Sequence, residues 1–378
     1  MELLCMAVGA FAACAAWLLT PPVRALARRM GFLDRPGAHK THADPIPYGG
    51  GVAVALAVGL ALAAGTWVYL RLLYDPAWSG QRAAWGFQSY LETARMSARP
   101  PLARVLGVSL AGALGALLFG LADDKWAFRP LTKLVIQFAL AIAVVSGGVR
   151  MTALVGDGWP MQAATVLWIV LITNSFNLLD NMDGLCSGTV AITASVLALV
   201  ALPGGEAPVA LVAAALAGAC LGFLRHNLAP ASIFLGDAGS MFVGFLMACL
   251  TVVTTYYRYH ESVLSIGVPV LILAIPLYDT ASVLAIRLRE GRPPLRGDTS
   301  HFSHRLVDLG MTRRQAVATI HLAALAIALP AAILSRLQPH EGALLIGQAF
   351  LVLTLIALLE RAGAQRKRNE TQGPPADV

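Results

Sequence analysis

Long apolar runs alternate with short polar segments along almost the entire chain. A helix that spans a bilayer needs about 20 apolar residues, and eleven runs approach or reach that length. They lie at about 2–20, 49–73, 103–122, 131–148, 162–178, 185–202, 207–224, 239–257, 263–286, 316–336 and 342–360. Because the bilayer core leaves backbone groups no water to bond, these runs predict helices. We therefore expect an all-α polytopic integral membrane protein with ten or eleven transmembrane helices, a single domain over residues 1–360 and a polar cytoplasmic tail over 361–378.

Composition and charge support a membrane protein and predict its orientation. Only 13% of the residues are charged, against about 25% in soluble domains. The net charge of +7 could indicate a nucleic-acid partner, but the basic residues are spread over the segments between apolar runs, which disfavours one. Twenty of the 28 Lys and Arg residues fall in segments that lie inside if the N-terminus is outside, as the positive-inside rule requires. We expect a multi-pass protein of a cytoplasmic membrane, in contact with membrane lipids.

Acidic, amide and imidazole side chains gather near the ends of four of these runs. They are Asp123 and Asp124 after the third run, Asn174, Asn177, Asp180 and Asp183 at the end of the fifth, Asp237 before the eighth, and His301, His304 and Arg305 before the tenth. A carboxylate at membrane depth is costly unless it is paired or binds a metal. The predicted topology places all four groups on the cytoplasmic side, which predicts one assembled site at that face.

Each group favours a particular chemistry. The adjacent carboxylates of Asp123 and Asp124 favour proton transfer or a bound divalent cation, and the simpler alternative is a helix cap or an ion pair with Lys125. The oxygens of the series at 174–183 suit Mg²⁺ completed by substrate phosphates, although a polar loop that caps two helices would show the same residues. The turn at 236–240 can offer backbone N–H groups to a phosphate, or it is an ordinary helix N-cap.

The remaining candidates lie in basic or interfacial positions. His301 and His304 suit diphosphate binding or acid–base chemistry, and the arginines around them favour anions, lipid headgroups included. Lys133 lies at the depth of a lipid phosphate and could bind one. The alternative is a snorkelling lysine, which would occupy the same depth. Phe234 either stacks on a base or is an interfacial aromatic. Asp279, deeper in the ninth run, is assigned no chemistry from the sequence.

Five motifs occur in a fixed order along the chain. They are DRPGAHKTHADPIPYGGG (34–51), LADDKWAFRPLTK (121–133), NSFNLLDNMDGL (174–185), FLGDAGS (234–240) and DTSHFSHRLVDLGMTRRQAV (298–317). Together they resemble the polyprenyl-phosphate N-acetylhexosamine-1-phosphate transferase family, of the glycosyltransferase family 4 type, over about residues 20–315. The resemblance implies an all-helical enzyme of the bacterial inner membrane. Such an enzyme transfers a sugar-1-phosphate from a UDP-sugar to a lipid phosphate, releases UMP and requires Mg²⁺, with Mn²⁺ as a substitute.

The resemblance also implies roles for eleven side chains, by their positions in these motifs. It implies catalytic roles for Asp123, Asp124 and Asp180, Mg²⁺ binding by Asn177 and Asp237, nucleotide binding by Asp183 and Phe234, lipid-phosphate binding by Lys133, and diphosphate binding by His301, His304 and Arg305. Two positions depart from the family pattern. Asn181 stands where the family usually has Gly, and Ser303 stands where it usually has His, so a role that needs this imidazole is not expected here.

The sugar and the activity are then expected from the same resemblance. The His-Lys-Thr-His (39–42) and Pro-Ile-Pro (45–47) stretches are more similar to the N-acetylglucosamine branch than to the muramyl-pentapeptide branch. We expect transfer of GlcNAc-1-phosphate to undecaprenyl phosphate, as the first step of a lipid-linked cell-envelope glycan. The alternatives are a phospho-N-acetylmuramoyl-pentapeptide transferase-type activity or a secondary transporter. A transporter would place ionisable groups near the midplane, in broken helices of paired repeats, whereas these acids gather at one face. A homodimer is left open.

Overall fold

A computed structural model describes residues 1–34, 44–78, 80, 102–151, 158–254, 263–293 and 300–372. In these ranges the α-helices are α1 (Glu2–Arg29), α2 (Gly50–Tyr74), α3 (Leu102–Trp126), α4 (Pro130–Ser146), α5 (Trp159–Leu179), α6 (Leu185–Ala201), α7 (Ala207–Asn227), α8 (Gly236–Val253), α9 (Val268–Ile272), α10 (Ala274–Arg289), α11 (Phe302–Asp308), α12 (Arg313–Ala328) and α13 (Pro339–Gln372). Three short 3₁₀ helices cover Pro76–Trp78, Val263–Gly267 and Leu329–Arg336, and two short strands are β1 (Leu33–Asp34) and β2 (Ile46–Pro47).

Within the described residues, the predicted apolar runs all lie on helices. Within the described ranges, eight helices are long and apolar enough to cross a membrane, namely α1, α2, α3, α5, α7, α8, α12 with the 3₁₀ turn after it, and α13. Helices α4 and α6 are apolar but shorter, at 17 residues each. The ninth predicted run is divided into a 3₁₀ turn, α9 and α10, with a break at Leu273. The all-α polytopic class is confirmed, and the count of eleven spans stays a prediction.

Helix α1 continues nine residues past the end of the first predicted run, through Pro21 and Pro22. Proline has no N–H, so Pro21 leaves the carbonyl of Trp17 without its helical donor. Nε2 of His226, on the neighbouring helix α7, lies 3.1 Å from that carbonyl oxygen. A neighbouring helix thereby satisfies the freed backbone group, as is common where proline occurs inside membrane helices.

Helix α8 occupies the centre of the bundle. It packs against α2, α3 and α5, and nearly all of its residues are buried. Small residues permit these close approaches. A Cβ added to Gly120 of α3 would lie 2.5 Å from the Cα atom of Ala238, and one added to Gly218 of α7 would lie 2.0 Å from the carbonyl oxygen of Gly9. The backbones therefore touch directly at these positions, and the ends of the helices are fixed relative to one another.

The two strands form a small antiparallel pair, with Leu33 opposite Pro47 and Asp34 opposite Ile46. The chain that leaves this pair is hydrogen-bonded to the segment that enters α8. Phe234 N donates to Pro47 O at 2.9 Å, and Gly50 N donates to Phe234 O at 3.0 Å. This hairpin, which the hydropathy pattern did not predict, fixes the loop that carries Phe234. The predicted sugar-type stretch at 39–42 lies outside the described residues.

Candidate active site

The ends of several helices meet around one cavity of about 490 Å³, a volume typical of small-molecule sites. Helices α3 and α5 end there, and α4 and α8 begin there. Eight of the eleven predicted site residues line this cavity, namely Asp123, Asp124, Lys133, Asp180, Asp183, Phe234, Asp237 and His304. Residues from four separate parts of the sequence are thus brought together, as the sequence predicted. Asn177, His301 and Arg305 do not line it.

Lys133 joins two of the carboxylates. It lies in the first turn of α4, and its Nζ contacts the carboxylate of Asp123 and lies 2.8 Å from Oδ2 of Asp237. Asp123 is almost fully buried, at 2% exposure, and its Oδ1 accepts a hydrogen bond of 2.8 Å from Phe128 N. This bond fixes the short connection between α3 and α4. One ammonium group between two carboxylates is the arrangement that allows charge to remain in so enclosed a site.

Asp124 caps the helix that carries Asp237. Its two carboxylate oxygens accept hydrogen bonds from Asp237 N at 2.8 Å and Ala238 N at 3.1 Å. These are among the first N–H groups of α8, which have no partner within their own helix and which favour a negative charge. Gly236 precedes them with a φ of +75°, and a Cβ on it would lie 2.7 Å from Oδ2 of Asp124. The cap therefore requires glycine at position 236.

Asn177 supports Asp237 from behind rather than from the cavity wall. Its Nδ2 donates to Oδ1 of Asp237 at 2.8 Å and to Oγ of Ser240 at 2.9 Å, so its amide nitrogen faces the carboxylate. Asn174, one turn earlier, bonds to the side chain of Gln137 and to Val170 O. The polar series at the end of α5 thus divides into residues that hold helices together and residues that face the cavity.

The acidic turn after α5 forms another wall of the cavity. Burial raises the pKa of Asp180 well above its ordinary value, and the neighbouring carboxylates of Asp237 and Asp124 raise it further. Asp183 accepts a hydrogen bond of 2.9 Å from Ala231 N, in the loop that leads to Phe234. Asp183 therefore fixes that loop in addition to facing the cavity.

The two positions that depart from the family pattern bond to each other. Oγ of Ser303 donates to Oδ1 of Asn181 at 2.5 Å, and Nδ2 of Asn181 donates to Leu178 O at 2.7 Å. Asn181 does not have a positive φ, so this backbone accepts a side chain without strain.

The segment that contains His301, His304 and Arg305 presents one of the three to the cavity. His304 lies at the cavity wall, and burial lowers its pKa, with the nearby His301 and Arg313 adding to the effect. Neutral His304 can accept a proton at one ring nitrogen and donate a hydrogen bond from the other. His301 bonds to Asp279, and Arg305 bonds to Glu360, so their predicted role in diphosphate binding stays a prediction while their visible contacts are with the protein.

Several cavity residues were not predicted. Tyr48 lies beside Phe234 with the ring centroids 6.4 Å apart, and burial and a hydrogen bond with Asp34 raise its pKa. Phe128 and Arg313 also line the cavity. All three stand in the five motifs: Tyr48 before a glycine run, Phe128 after the acidic pair and Arg313 near the end of the histidine motif. Arg313 is one of several arginines in that basic loop, and its position in the motif was the one signal that could have found it.

The available donors suit one kind of metal ion. In the described parts of the chain, no group of three or more His, Cys, Asp or Glu side chains has metal-binding spacing. The carboxylates of Asp123 and Asp237, which both contact the ammonium group of Lys133, provide hard oxygen atoms close to one another. Mg²⁺ in proteins commonly takes one or two carboxylates and completes its shell with water and substrate phosphates. The residues present therefore fit Mg²⁺ bound together with a phosphate substrate.

Comparisons with known proteins identify the family of this chain. The model of glycosyl transferase family 4 matches residues 106–255. A probable undecaprenyl-phosphate N-acetylglucosaminyl 1-phosphate transferase of Bacillus subtilis (strain 168) is 32% identical, over 81% of this chain and 78% of its own. A decaprenyl-phosphate N-acetylglucosaminephosphotransferase of Mycolicibacterium smegmatis is 32% identical, over 95% and 90%. The undecaprenyl-phosphate alpha-N-acetylglucosaminyl 1-phosphate transferase of Escherichia coli (strain K12) is 27% identical, over 81% and 77%.

The family model spans residues 106–255, which include the acidic pair and the turn into α8. The Mycolicibacterium smegmatis relative is 32% identical over 95% of this chain. The chain belongs to glycosyl transferase family 4, among the polyprenyl-phosphate N-acetylhexosamine-1-phosphate transferases.

Proposed function

We propose that this protein transfers GlcNAc-1-phosphate from UDP-GlcNAc to a polyprenyl phosphate, undecaprenyl phosphate in particular, and releases UMP. The cluster of Asp123, Lys133 and Asp237 on one cavity wall carries the proposal, because it combines a cation for a phosphate with carboxylates that can orient it. The relatives named for this activity support the sugar and the lipid. A multi-pass bundle supplies the apolar surface that a polyprenyl chain requires.

The lipid phosphate would bind at Lys133. Its side chain is a quarter exposed, and its ammonium group contacts the carboxylates of Asp123 and Asp237. A phosphate at that position is attracted by the positive charge of Lys133. The carboxylate of Asp123 repels the phosphate oxygens that come near it, which restricts the orientation of the phosphate, and it can accept a proton that the phosphate loses. The phosphate oxygen attacks the phosphorus that bears the sugar, a new P–O bond forms, and the bond between that phosphorus and the UMP oxygen breaks.

The UDP-sugar would bind to other residues of the same cavity. Phe234 offers an apolar face for the uracil ring, and Asp183, which also lines the cavity, offers a carboxylate to the ring N–H. His304 and Arg313 lie where they can contact the diphosphate. Asp237 and Asn177 would hold Mg²⁺, with Mn²⁺ as a substitute, and Asn177 would then have to turn its amide oxygen, rather than its nitrogen, toward the ion. When bound, the ion would neutralise the diphosphate and the leaving UMP.

The orientation follows from the charge of the loops. Lys125, Arg129, Arg225 and Arg313 flank the helix ends that surround the cavity, and the positive-inside rule places such ends in the cytoplasm. We therefore propose an active site on the cytoplasmic face of the bacterial inner membrane, in a bundle of eleven spans. UDP-sugars, which are soluble, would then reach it directly. A homodimer stays a prediction.

A test uses the purified full-length protein in detergent with undecaprenyl phosphate, Mg²⁺ and a panel of UDP-sugars, with UMP as the product measured. We expect UMP with UDP-GlcNAc, only when the lipid phosphate and the divalent ion are both present. Asp123→Asn and Asp237→Asn should abolish release, whereas Asp75→Asn, at the far end of α2, should not. UMP from UDP-MurNAc-pentapeptide alone would instead identify the muramyl branch. Solute uptake into vesicles without any UMP would identify a transporter.

A further inference from the structure

The histidine segment, which we define as residues 300–308, is too short to fix its own orientation. It contains α11, a helix of only seven residues, and so few intrahelical hydrogen bonds that its orientation depends on contacts with its neighbours. His304 is nonetheless held at the cavity wall. The contacts that hold it there come from two residues to which neither the sequence nor the proposed mechanism gives a role.

Asp279 of α10 is the first of these residues. Its side chain is 1% exposed, and both of its oxygens are used by the histidine segment. Oδ1 accepts a hydrogen bond of 2.6 Å from Phe302 N, and Oδ2 lies 2.9 Å from Nδ1 of His301. The first bond caps the start of α11. The second requires the proton of His301 on Nδ1, because a carboxylate can only accept.

Glu360 of α13 is the second. Its Oε1 accepts a hydrogen bond of 2.9 Å from Nε of Arg305, and its Oε2 accepts one of 2.7 Å from the hydroxyl of Tyr278. The two charged side chains are only 15% and 10% exposed. The other nitrogens of Arg305 donate to Ser282 Oγ, at 2.7 Å, and to Ser300 O. Each of the three guanidinium nitrogens therefore donates to the protein, in the fixed planar geometry that suits arginine to holding two elements together.

These two anchors lie on either side of His304 in the sequence. His301 and Phe302 are fixed to α10, and Arg305 is fixed to α13, so His304 is enclosed between two attached points. We propose that Asp279 and Glu360 are positioning residues for sugar-phosphate transfer, which clamp the histidine segment so that His304 faces the cavity; the proposal rests on the proposed function. Through Glu360, the otherwise largely exposed helix α13 then contributes to the geometry of the active site.

The clamp predicts separate effects on segment order and on catalysis. Asp279→Asn and Glu360→Gln each remove a charge from hydrogen bonds that are stronger when charged. We expect hydrogen exchange of the amides in residues 300–308 to quicken by about 10-fold or more, as for the loss of one such bond. The kcat for UMP release should fall about 10-fold, while KM for the lipid phosphate, bound on α4, should stay within about 2-fold of the wild-type value.

Conservative and matched variants distinguish positioning from general damage. Asp279→Glu and Glu360→Asp keep the charge and should recover part of kcat and of the exchange protection. Glu341→Gln, at the exposed start of the same helix α13, should change neither. If Glu360→Gln does not fold, Glu360→Asp is compared with the wild type directly, with a smaller change in the same direction expected.

The outcomes separate the clamp from the proposed function. Unchanged exchange in residues 300–308 for both charge-removing variants would overturn the clamp. Faster exchange with an unchanged kcat would overturn the positioning role. If the wild-type protein releases no UMP with any substrate, the proposed function fails, and the exchange measurement still reports on the clamp because it needs no substrate.

Discussion

Replacing Gly120 by alanine tests whether the contact between α3 and α8 sets the geometry of the active site. The added Cβ would lie 2.5 Å from the carbonyl oxygen of Asp237, 2.5 Å from the Cα atom of Ala238 and 2.6 Å from Ala238 N. Carbon atoms in good contact are about 3.5–4.0 Å apart. All three obstructing atoms are backbone, so no side-chain rotation can relieve the overlap. The two helices would have to separate locally by about 1 Å to restore ordinary contact.

This separation has two measurable consequences. Overpacking of a dense core typically costs about 1–3 kcal/mol, partly offset by the gain of about 1 kcal/mol when alanine replaces glycine inside a helix. The larger consequence is geometric, because Asp237 lies on α8 while Asp123 and Lys133 lie on α3 and α4. Misplacing reactive groups by 1 Å can lower the rate about 100-fold. We therefore expect Gly120→Ala to fold with a slightly lower thermal midpoint and to lose most of its kcat.

The same helix provides a matched control. Gly107 of α3 has nothing within 4 Å of the position of an added Cβ, so Gly107→Ala gains helix propensity without any overlap. The assay is UMP release from UDP-GlcNAc and undecaprenyl phosphate, with thermal unfolding of both variants in detergent. Wild-type turnover in Gly120→Ala would refute the reasoning, and so would an equal loss in both variants.

Three further predictions concern the cavity walls. Phe234→Ala should raise KM for the UDP-sugar about 10-fold, since stacking on a base contributes about 1–3 kcal/mol, and Phe234→Tyr should restore it; steady-state kinetics decide. Lys133→Met should abolish transfer and lower the free energy of unfolding by about 1–3 kcal/mol, because two carboxylates lose their partner. Lys133→Met combined with Asp123→Asn should recover thermal stability without activity. The depressed pKa of His304 means that the unfolded chain takes up its proton first, so the stability it provides is present above about pH 6.5 and is lost as the pH falls through its folded-state value. Thermal midpoints between pH 7.5 and 5.5 should accordingly fall further for the wild type than for His304→Gln; equal falls would contradict this assignment.

The helices could be predicted from the sequence because hydropathy alone specifies them. Apolar runs of about 20 residues in a membrane have no other way to satisfy their backbone, and every predicted run is helical in the part that the structure describes. The break at Leu273 escaped prediction because a short interruption barely changes average hydropathy. The β1–β2 pairing depends on contacts of Pro47 and Gly50 with the distant Phe234, which no local pattern contains.

The candidate site was predictable in its residue types and less so in its arrangement. Carboxylates near a membrane are rare and costly, so Asp123 and Asp237 stood out. The sequence could not tell which carboxylates face the cavity and which cap a helix. Asp124 does both. Asp279 received no chemistry because its partners, at His301 and Phe302, follow more than twenty residues later.

The central place of α8 also has a consequence for biosynthesis. Helices α3 and α5 leave the ribosome before α8, yet the finished protein places α8 against both, with Gly120 and Gly244 in backbone contact distance of their neighbours. The earlier helices must therefore remain loosely associated in the bilayer until α8 enters between them. Asp123 and Asp237 come together only when α8 packs against α3. A nascent chain that ends before α8 therefore contains most of its membrane helices but no assembled active site.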